Sequence, residues 1–393
     1  SRGRWFESDK RLKQRTPQSV FQLMKIGCGS FFVPTYDCSS QPLNYPKTMI
    51  YFECDYAEGA HPRILERLQQ TNLLQTPGYG TDNFSDQARE TIRRLCACPD
   101  ADVHFLVGGT QTNMIVIGAA LRPHQGVIAA ESGHISVHES GAIEATGHKV
   151  LALPGGREGK LTAAQVEAVV AAHRADKHHE HTVQPAMVYI SHPTEFGALY
   201  SLRELEVLSA VCRQLGLLLF MDGARLGYAL AAEANDLTLP DIARLCDVFY
   251  IGGTKVGALF GEAVVIPCAS LQRDFRYLIK QRGGLLAKGR LLGIQFETLL
   301  SEGLYFDISR HAVRMAMRIR EAFEARAVDF FTPSSTNQQF PILTEPQVES
   351  LSARYVFERW SYTADGHIVT RFCTSWATNA ADVDTLVADI IHL

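Results

Sequence analysis

The segment Leu217-Leu218-Leu219-Phe220-Met221-Asp222-Gly223-Ala224-Arg225 runs five apolar residues directly into an aspartate and a small-residue turn. An apolar run without polar alternation suits a strand buried on both faces, as in a parallel sheet covered by helices. Further short apolar runs lie at Val103–Val107, Val127–Ala130, Lys149–Leu153, Ala186–Ile190, Val248–Ile251 and Ala263–Ile266. Segments of helical period, at 111–121, 163–173 and 202–214, lie between several of them. Strands alternating with helices predict an α/β domain with a mainly parallel sheet.

In such sheets ligands bind beyond the carboxyl ends of the strands. The residues just after the apolar runs are therefore the ones to inspect. They are Gly108-Gly109-Thr110-Gln111, Ser191-His192, Asp222-Gly223-Ala224-Arg225 and Gly252-Gly253-Thr254-Lys255. Each strand end carries a glycine turn or a polar group, which a purely structural sheet would not require.

Outside this region the pattern changes. Residues 1–48, with Pro34, Pro42 and Pro46, show little periodicity. From about residue 290 two helical segments, 292–301 and 308–325, precede a shorter strand-and-helix region that ends in Val383–Ile391. The expected organisation is an N-terminal arm over 1–50, a large domain over 51–275 and a smaller α+β domain over 276–393.

Composition narrows the function classes. The chain has 393 residues, 46% hydrophobic and 20% charged, which suits a globular protein of two domains. A net charge of −4 argues against nucleic acid as a partner. No apolar run approaches the roughly 20 residues that span a bilayer. Nine scattered cysteines without a CxxC pair point to reduced thiols and a cytoplasmic setting. Residues 1–25 carry seven Lys/Arg against two acids, as a transit-peptide remnant or a plain basic segment would. His178-His179-Glu180-His181 resembles a metal tract but sits in a polar stretch between a helix and a strand; a solvated loop and no metal are expected.

Four strand-end groups carry the chemistry. Lys255 follows a buried run in a turn of small residues, where burial would lower its pKa and free the amine to attack a carbonyl. Asp222 ends an apolar strand and needs a partner; a pyridinium nitrogen would be one, and a cap on the following helix is the alternative. Gly109 and Thr110 open helix 111–121, where backbone N–H groups favour a phosphate. His134, in Ser132-Gly133-His134-Ile135, is placed to stack on a cofactor ring. Together they point to pyridoxal phosphate bound as a Schiff base to Lys255.

These segments resemble the low-specificity L-threonine aldolases and related β-eliminating lyases. The resemblance runs from about Tyr51 to the C-terminus. It rests on Met221-Asp222-Gly223-Ala224-Arg225-Leu226, on Gly252-Gly253-Thr254-Lys255, on Gly108-Gly109-Thr110-Gln111-Thr112-Asn113 and on Gly133-His134-Ile135. It implies an aspartate-aminotransferase-like fold, fold type I. His192 would match a second family histidine near the substrate hydroxyl. Arg371, in Thr370-Arg371-Phe372, would bind the α-carboxylate, with Arg225 close to it or to the ring oxygen. Tyr79 lies in a loop that such enzymes contribute across a subunit contact, which implies a homodimer or homotetramer with sites near the interface. Cys54 stands where the family often has serine or asparagine near the carboxylate. Arg282, or Lys288, would replace a family arginine that helps to hold phosphate.

The implied reaction cleaves L-threonine or L-allo-threonine to glycine and an aldehyde, with Lys255, His134 and His192 as the catalytic residues. β-Elimination or transamination of another amino acid is the alternative. A non-catalytic protein on this fold is a third reading.

Overall fold

The computed structural model describes residues 49–393. The arm expected over 1–50 falls outside the described residues up to 48. The central sheet has seven strands: β1 Asp102–Leu106, β2 Gln125–Ala130, β3 Val150–Leu153, β4 Gln184–Ser191, β5 Leu218–Asp222, β6 Val248–Gly252 and β7 Glu262–Ile266. Their order across the sheet is β1-β7-β6-β5-β4-β2-β3. Neighbours from β6 to β3 pair in parallel, and β7 runs antiparallel between β6 and β1. Every apolar run expected to be a strand is one, with ends that move by a residue or two.

Local chemistry explains the helices that join them. Helix Leu202–Leu215 begins at a reciprocal capping box between Ser201 and Glu204 and ends at Gly216 in the left-handed region. Helix Ala163–Ala175 has the same box between Thr162 and Gln165. Helix Gly109–Ala120 begins two residues earlier than its periodicity suggests, because the glycines fall inside its first turn and just before it. Both faces of the sheet are covered, so Phe220 and Met221, on opposite faces of β5, are both fully buried.

Two strand ends meet where β5 and β6 finish. Gly252 N–H donates to Gly223 O at 3.0 Å. A Cβ at Gly223 would lie 1.8 Å from the Tyr250 carbonyl oxygen, and one at Gly252 would lie 2.3 Å from that of Ala224. Only glycine permits this approach, which brings the Asp222 turn and the Lys255 turn side by side.

A smaller antiparallel sheet is built on strand Ile368–Cys373, which pairs with Glu358–Tyr362, Ile342–Leu343 and Gln338–Gln339. Its core holds Phe52, Phe323, Leu343, Phe372 and Leu386. Helix Leu304–Ala325 serves both layers. Its first half packs Tyr305, Ile308 and Ala312 against the large sheet's core, and its second half packs Met315, Ile319 and Phe323 into the smaller one. Among the described residues no helix is long and apolar enough to cross a membrane.

Candidate active site

A cavity of about 180 Å³ opens at the carboxyl ends of the strands and is lined by Gly109, Thr110, His134, Asp222, Lys255 and Glu262, among others. A second, of about 290 Å³, is lined by Tyr56, His138, Glu358, Trp360 and Arg371. The two share His134, Glu195, Arg225 and Lys255, so they are parts of one site.

Lys255 is set by the turn that precedes it. Gly253 N–H and Thr254 N–H donate to Gly261 O at 2.9 and 3.1 Å, and the Lys255 carbonyl accepts from Tyr228 Oη at 2.5 Å. Burial, reinforced by the nearby Arg225 charge, holds its amine below the usual lysine range. This is the direction a carbonyl-attacking lysine needs. Glu262 lies beside it, accepting from Thr254 Oγ1 at 2.8 Å and Gly253 N–H at 3.2 Å. Burial holds the Glu262 carboxyl above the usual carboxylate range.

Asp222 is buried at the end of β5. Its Oδ2 accepts from Tyr189 Oη at 2.5 Å and Asn113 Nδ2 at 3.3 Å, and its Oδ1 accepts from Ala224 N–H at 3.0 Å. Asp222 does not cap the following helix, Leu226–Ala231, whose N-cap is Arg225 without a side-chain bond; its carboxylate instead holds the N–H of the intervening turn and lines the cavity. Helix Gly109–Ala120 has no side-chain cap, which leaves its first N–H groups for an anion. A Cβ at Gly109 would lie 3.2 Å from Tyr250 Oη, so glycine keeps this cradle open.

His134 Nδ1 lies 2.8 Å from Glu139 Oε1, and that oxygen also accepts from Asn113 Nδ2 at 2.7 Å. The His134 N–H donates to Glu195 Oε1 at 2.9 Å, which Ser191 Oγ also reaches at 2.7 Å. Arg371 reaches Gln338 Oε1 and the Glu53 carbonyl, each at 3.2 Å, stacks 4.8 Å over the Trp360 ring and pairs with Glu358. Its Nε is buried without a partner.

The other expected residues divide between the site and its surroundings. Arg225 lines the site, but two of its nitrogens grip Asp55, at 2.7 and 3.0 Å. His192 does not line either cavity. It is fully buried, with Nδ1 accepting from Tyr200 N–H at 3.3 Å, and burial pushes its imidazole down to about 4. Cys54 is half-buried next to Asp55, outside both linings, and burial pushes its thiol up. Tyr79 is exposed and held by Lys280, 4.9 Å over its ring, away from both cavities. The Arg282 carbonyl accepts from Gln111 Nε2 of the phosphate-turn helix at 3.0 Å, its Nε is buried without a hydrogen-bond partner, and it lines neither cavity, while Lys288 is exposed. His178 and His181 stack 5.5 Å apart on an exposed turn.

Sequence reasoning missed Asn113, Glu139, Glu195, Glu262 and Asp55. Glu195, three residues from His192, was within reach as the other titratable group of that segment. The donor set fits pyridoxal phosphate: an amine for the aldehyde, a buried carboxylate for the ring nitrogen, and an uncapped, glycine-opened helix terminus for the phosphate.

Known proteins resemble this chain in sequence and fold. Residues 61–346 match the beta-eliminating lyase family. The chain is 33% identical over 343 residues to the low-specificity L-threonine aldolase of Pseudomonas aeruginosa, covering 86% of this chain and 96% of that protein. A structure of the Leishmania major threonine aldolase superposes with a TM-score of 0.85 at 46% identity, over 87% of this chain and 99% of that one. An aspartate aminotransferase variant of Thermus thermophilus superposes with a TM-score of 0.66 at 14% identity, over 88% of this chain and 92% of that one, which places the fold with the fold type I enzymes. In motif, in length matched and in fold, the chain belongs to the beta-eliminating lyase family.

Proposed function

We propose that this protein is a pyridoxal-phosphate-dependent aldolase that cleaves L-threonine, L-allo-threonine and related β-hydroxy-α-amino acids to glycine and an aldehyde. The observation that carries the reading is the meeting of Lys255, Asp222 and the Gly109 helix terminus in one cavity, with Arg371 in the adjoining one. The names of the relatives support the choice of reaction.

Lys255 would hold the cofactor covalently, Asp222 would face its ring nitrogen, Gly109 and Thr110 would hold its phosphate, and His134 would lie against its ring. When bound, pyridoxal phosphate supplies the electron sink for the pair released as the Cα–Cβ bond breaks. The chain supplies the rest. Arg371 binds the α-carboxylate through its guanidinium fork and fixes the substrate. Arg225, locked by Asp55, adds positive charge to that side of the site without turning freely toward the ligand. His134 takes the β-hydroxyl proton as that carbon becomes an aldehyde. A proton delivered to Cα completes glycine.

A homo-oligomer is part of this proposal. Leu73 is 92% exposed and Leu74, Tyr79 and Tyr277 are exposed with it, which suits burial by another copy. A cytoplasmic setting is supported by seven free cysteines among the described residues.

The test is to add pyridoxal phosphate and L-threonine to the protein and assay glycine and acetaldehyde. Equal amounts of both support the proposal. Ammonia with a 2-keto acid would instead indicate elimination, and a keto acid without ammonia would indicate transamination.

A further inference from the structure

Glu139 is a carboxyl group with no exposed side-chain surface. Among the described residues no lysine or arginine forms an ion pair with it; its titratable partner is His134, 2.8 Å away. A buried carboxylate without such a partner is expensive to keep, so its contacts define a use. Both contacts fall on Oε1, from His134 Nδ1 and from Asn113 Nδ2, while Oε2 has no partner. His134 is also clamped through its backbone, because its N–H donates to the half-buried Glu195. With Nδ1 turned into the protein, the opposite edge of the imidazole, which carries Nε2, faces the cavity that His134 lines with Lys255.

We propose that Glu139 is a positioning residue for the aldol cleavage: it holds Nδ1–H of His134 so that Nε2 is the atom that accepts the β-hydroxyl proton. This rests on the aldolase reading above. The tautomer follows from the contact, since a carboxylate at Nδ1 requires a proton there and leaves the Nε2 lone pair free. It also supports the imidazolium that forms when Nε2 takes the proton, because the charge appears beside a carboxylate. His192 is enclosed outside the cavity and is not available for this task. His138, on the same site, has its ring 5.6 Å from His134, and burial, followed by the His134 ring, holds its imidazole down. Asn113 completes the arrangement: its amide nitrogen bonds Glu139 and Asp222, so one side chain fixes both the ring-facing histidine and the nitrogen-facing aspartate.

The experiment compares two reactions of the holoenzyme. Cleavage of L-threonine needs the β-hydroxyl proton removed; exchange of the glycine α-hydrogen in heavy water does not. Glu139→Gln is expected to lower kcat for threonine roughly tenfold to hundredfold, with KM and glycine exchange within about threefold of wild type and the bound-cofactor absorbance retained. Glu139→Asp, which keeps the charge, is expected to recover part of the loss. In a His134→Phe background, Glu139→Gln is expected to add little. Unchanged threonine turnover in Glu139→Gln overturns the proposal, and so does an equal loss of both reactions, which would mark a structural role. A wild-type enzyme that exchanges glycine but releases no aldehyde from threonine contradicts the aldolase reading itself, and this inference with it.

Discussion

Arg225 and Asp55 form a two-pronged ion pair, Nε to Oδ2 at 2.7 Å and Nη2 to Oδ1 at 3.0 Å, across 170 residues of chain. Asp55 is fully buried and also accepts from Asn337 Nδ2 at 2.9 Å. Burial alone would raise the Asp55 carboxyl; the Arg225 and Lys255 charges outweigh it and hold the group below the usual carboxylate range. The pair pins the segment after Ile50–Tyr51 to the turn that follows Asp222. Asp55→Asn leaves a buried guanidinium without its counter-charge and is expected to cost about 3–5 kcal/mol. Urea unfolding of the cofactor-free protein checks this, and a loss below about 1 kcal/mol would mean that solvent or another group replaces Asp55.

Arg371 is already paired with Glu358, its direct cross-strand neighbour. A substrate carboxylate therefore competes with Glu358 or shares the guanidinium with it. Arg371→Lys, which loses the planar fork, is expected to raise KM for threonine roughly tenfold to hundredfold. Glu358→Gln frees the fork and is expected to lower KM by up to about fivefold, the scale of a partly exposed ion pair. Steady-state kinetics of both variants test the assignment; a rise of KM in Glu358→Gln would show that Glu358 supports the arginine.

His192 gives a pH signature in stability. Its imidazole falls from 6.5 to about 4 on folding, through burial. Between those pH values the unfolded chain binds a proton that the folded chain refuses. Stability from this group is therefore full above pH about 6.5 and is lost as pH falls toward 4, at about 1.4 kcal/mol per unit. Replacing His192 by glutamine is expected to make the fall in stability between pH 7 and pH 4.5 smaller by about 2–3 kcal/mol. Denaturant melts at the two pH values measure it, and an equal fall in both proteins would contradict the buried neutral imidazole.

The strand ends were readable because burial and chemistry change abruptly there. Five apolar residues leading to Asp222, and the glycines before Lys255 and around Gly109, mark those positions in one dimension. Arg371 needed the family resemblance, since nothing local separates it from other arginines. Asp55 and Asn113, both missed, take their roles from distant chain. Asn337 meets Asp55 across 282 residues, and Asn113 joins Asp222 across 109. His192, which was expected at the site, and Glu195, which was not, show the same limit. Three residues apart in one loop, they face opposite ways: the Glu195 carboxyl is drawn to the His134 N–H and Ser191 Oγ, while His192 turns to the Tyr200 backbone. Periodicity carries no information on which way a loop side chain turns.

Lys255 is the residue expected to carry the cofactor. Borohydride reduction of the pyridoxal-phosphate-loaded protein, followed by peptide mass spectrometry, tests it directly. A single reduced pyridoxyl adduct is expected on the peptide that contains Lys255, and Lys255→Ala is expected to lose it together with the visible absorbance of the bound cofactor and threonine turnover. An adduct on another lysine such as Lys288 or Lys280, or full turnover in Lys255→Ala, would contradict it.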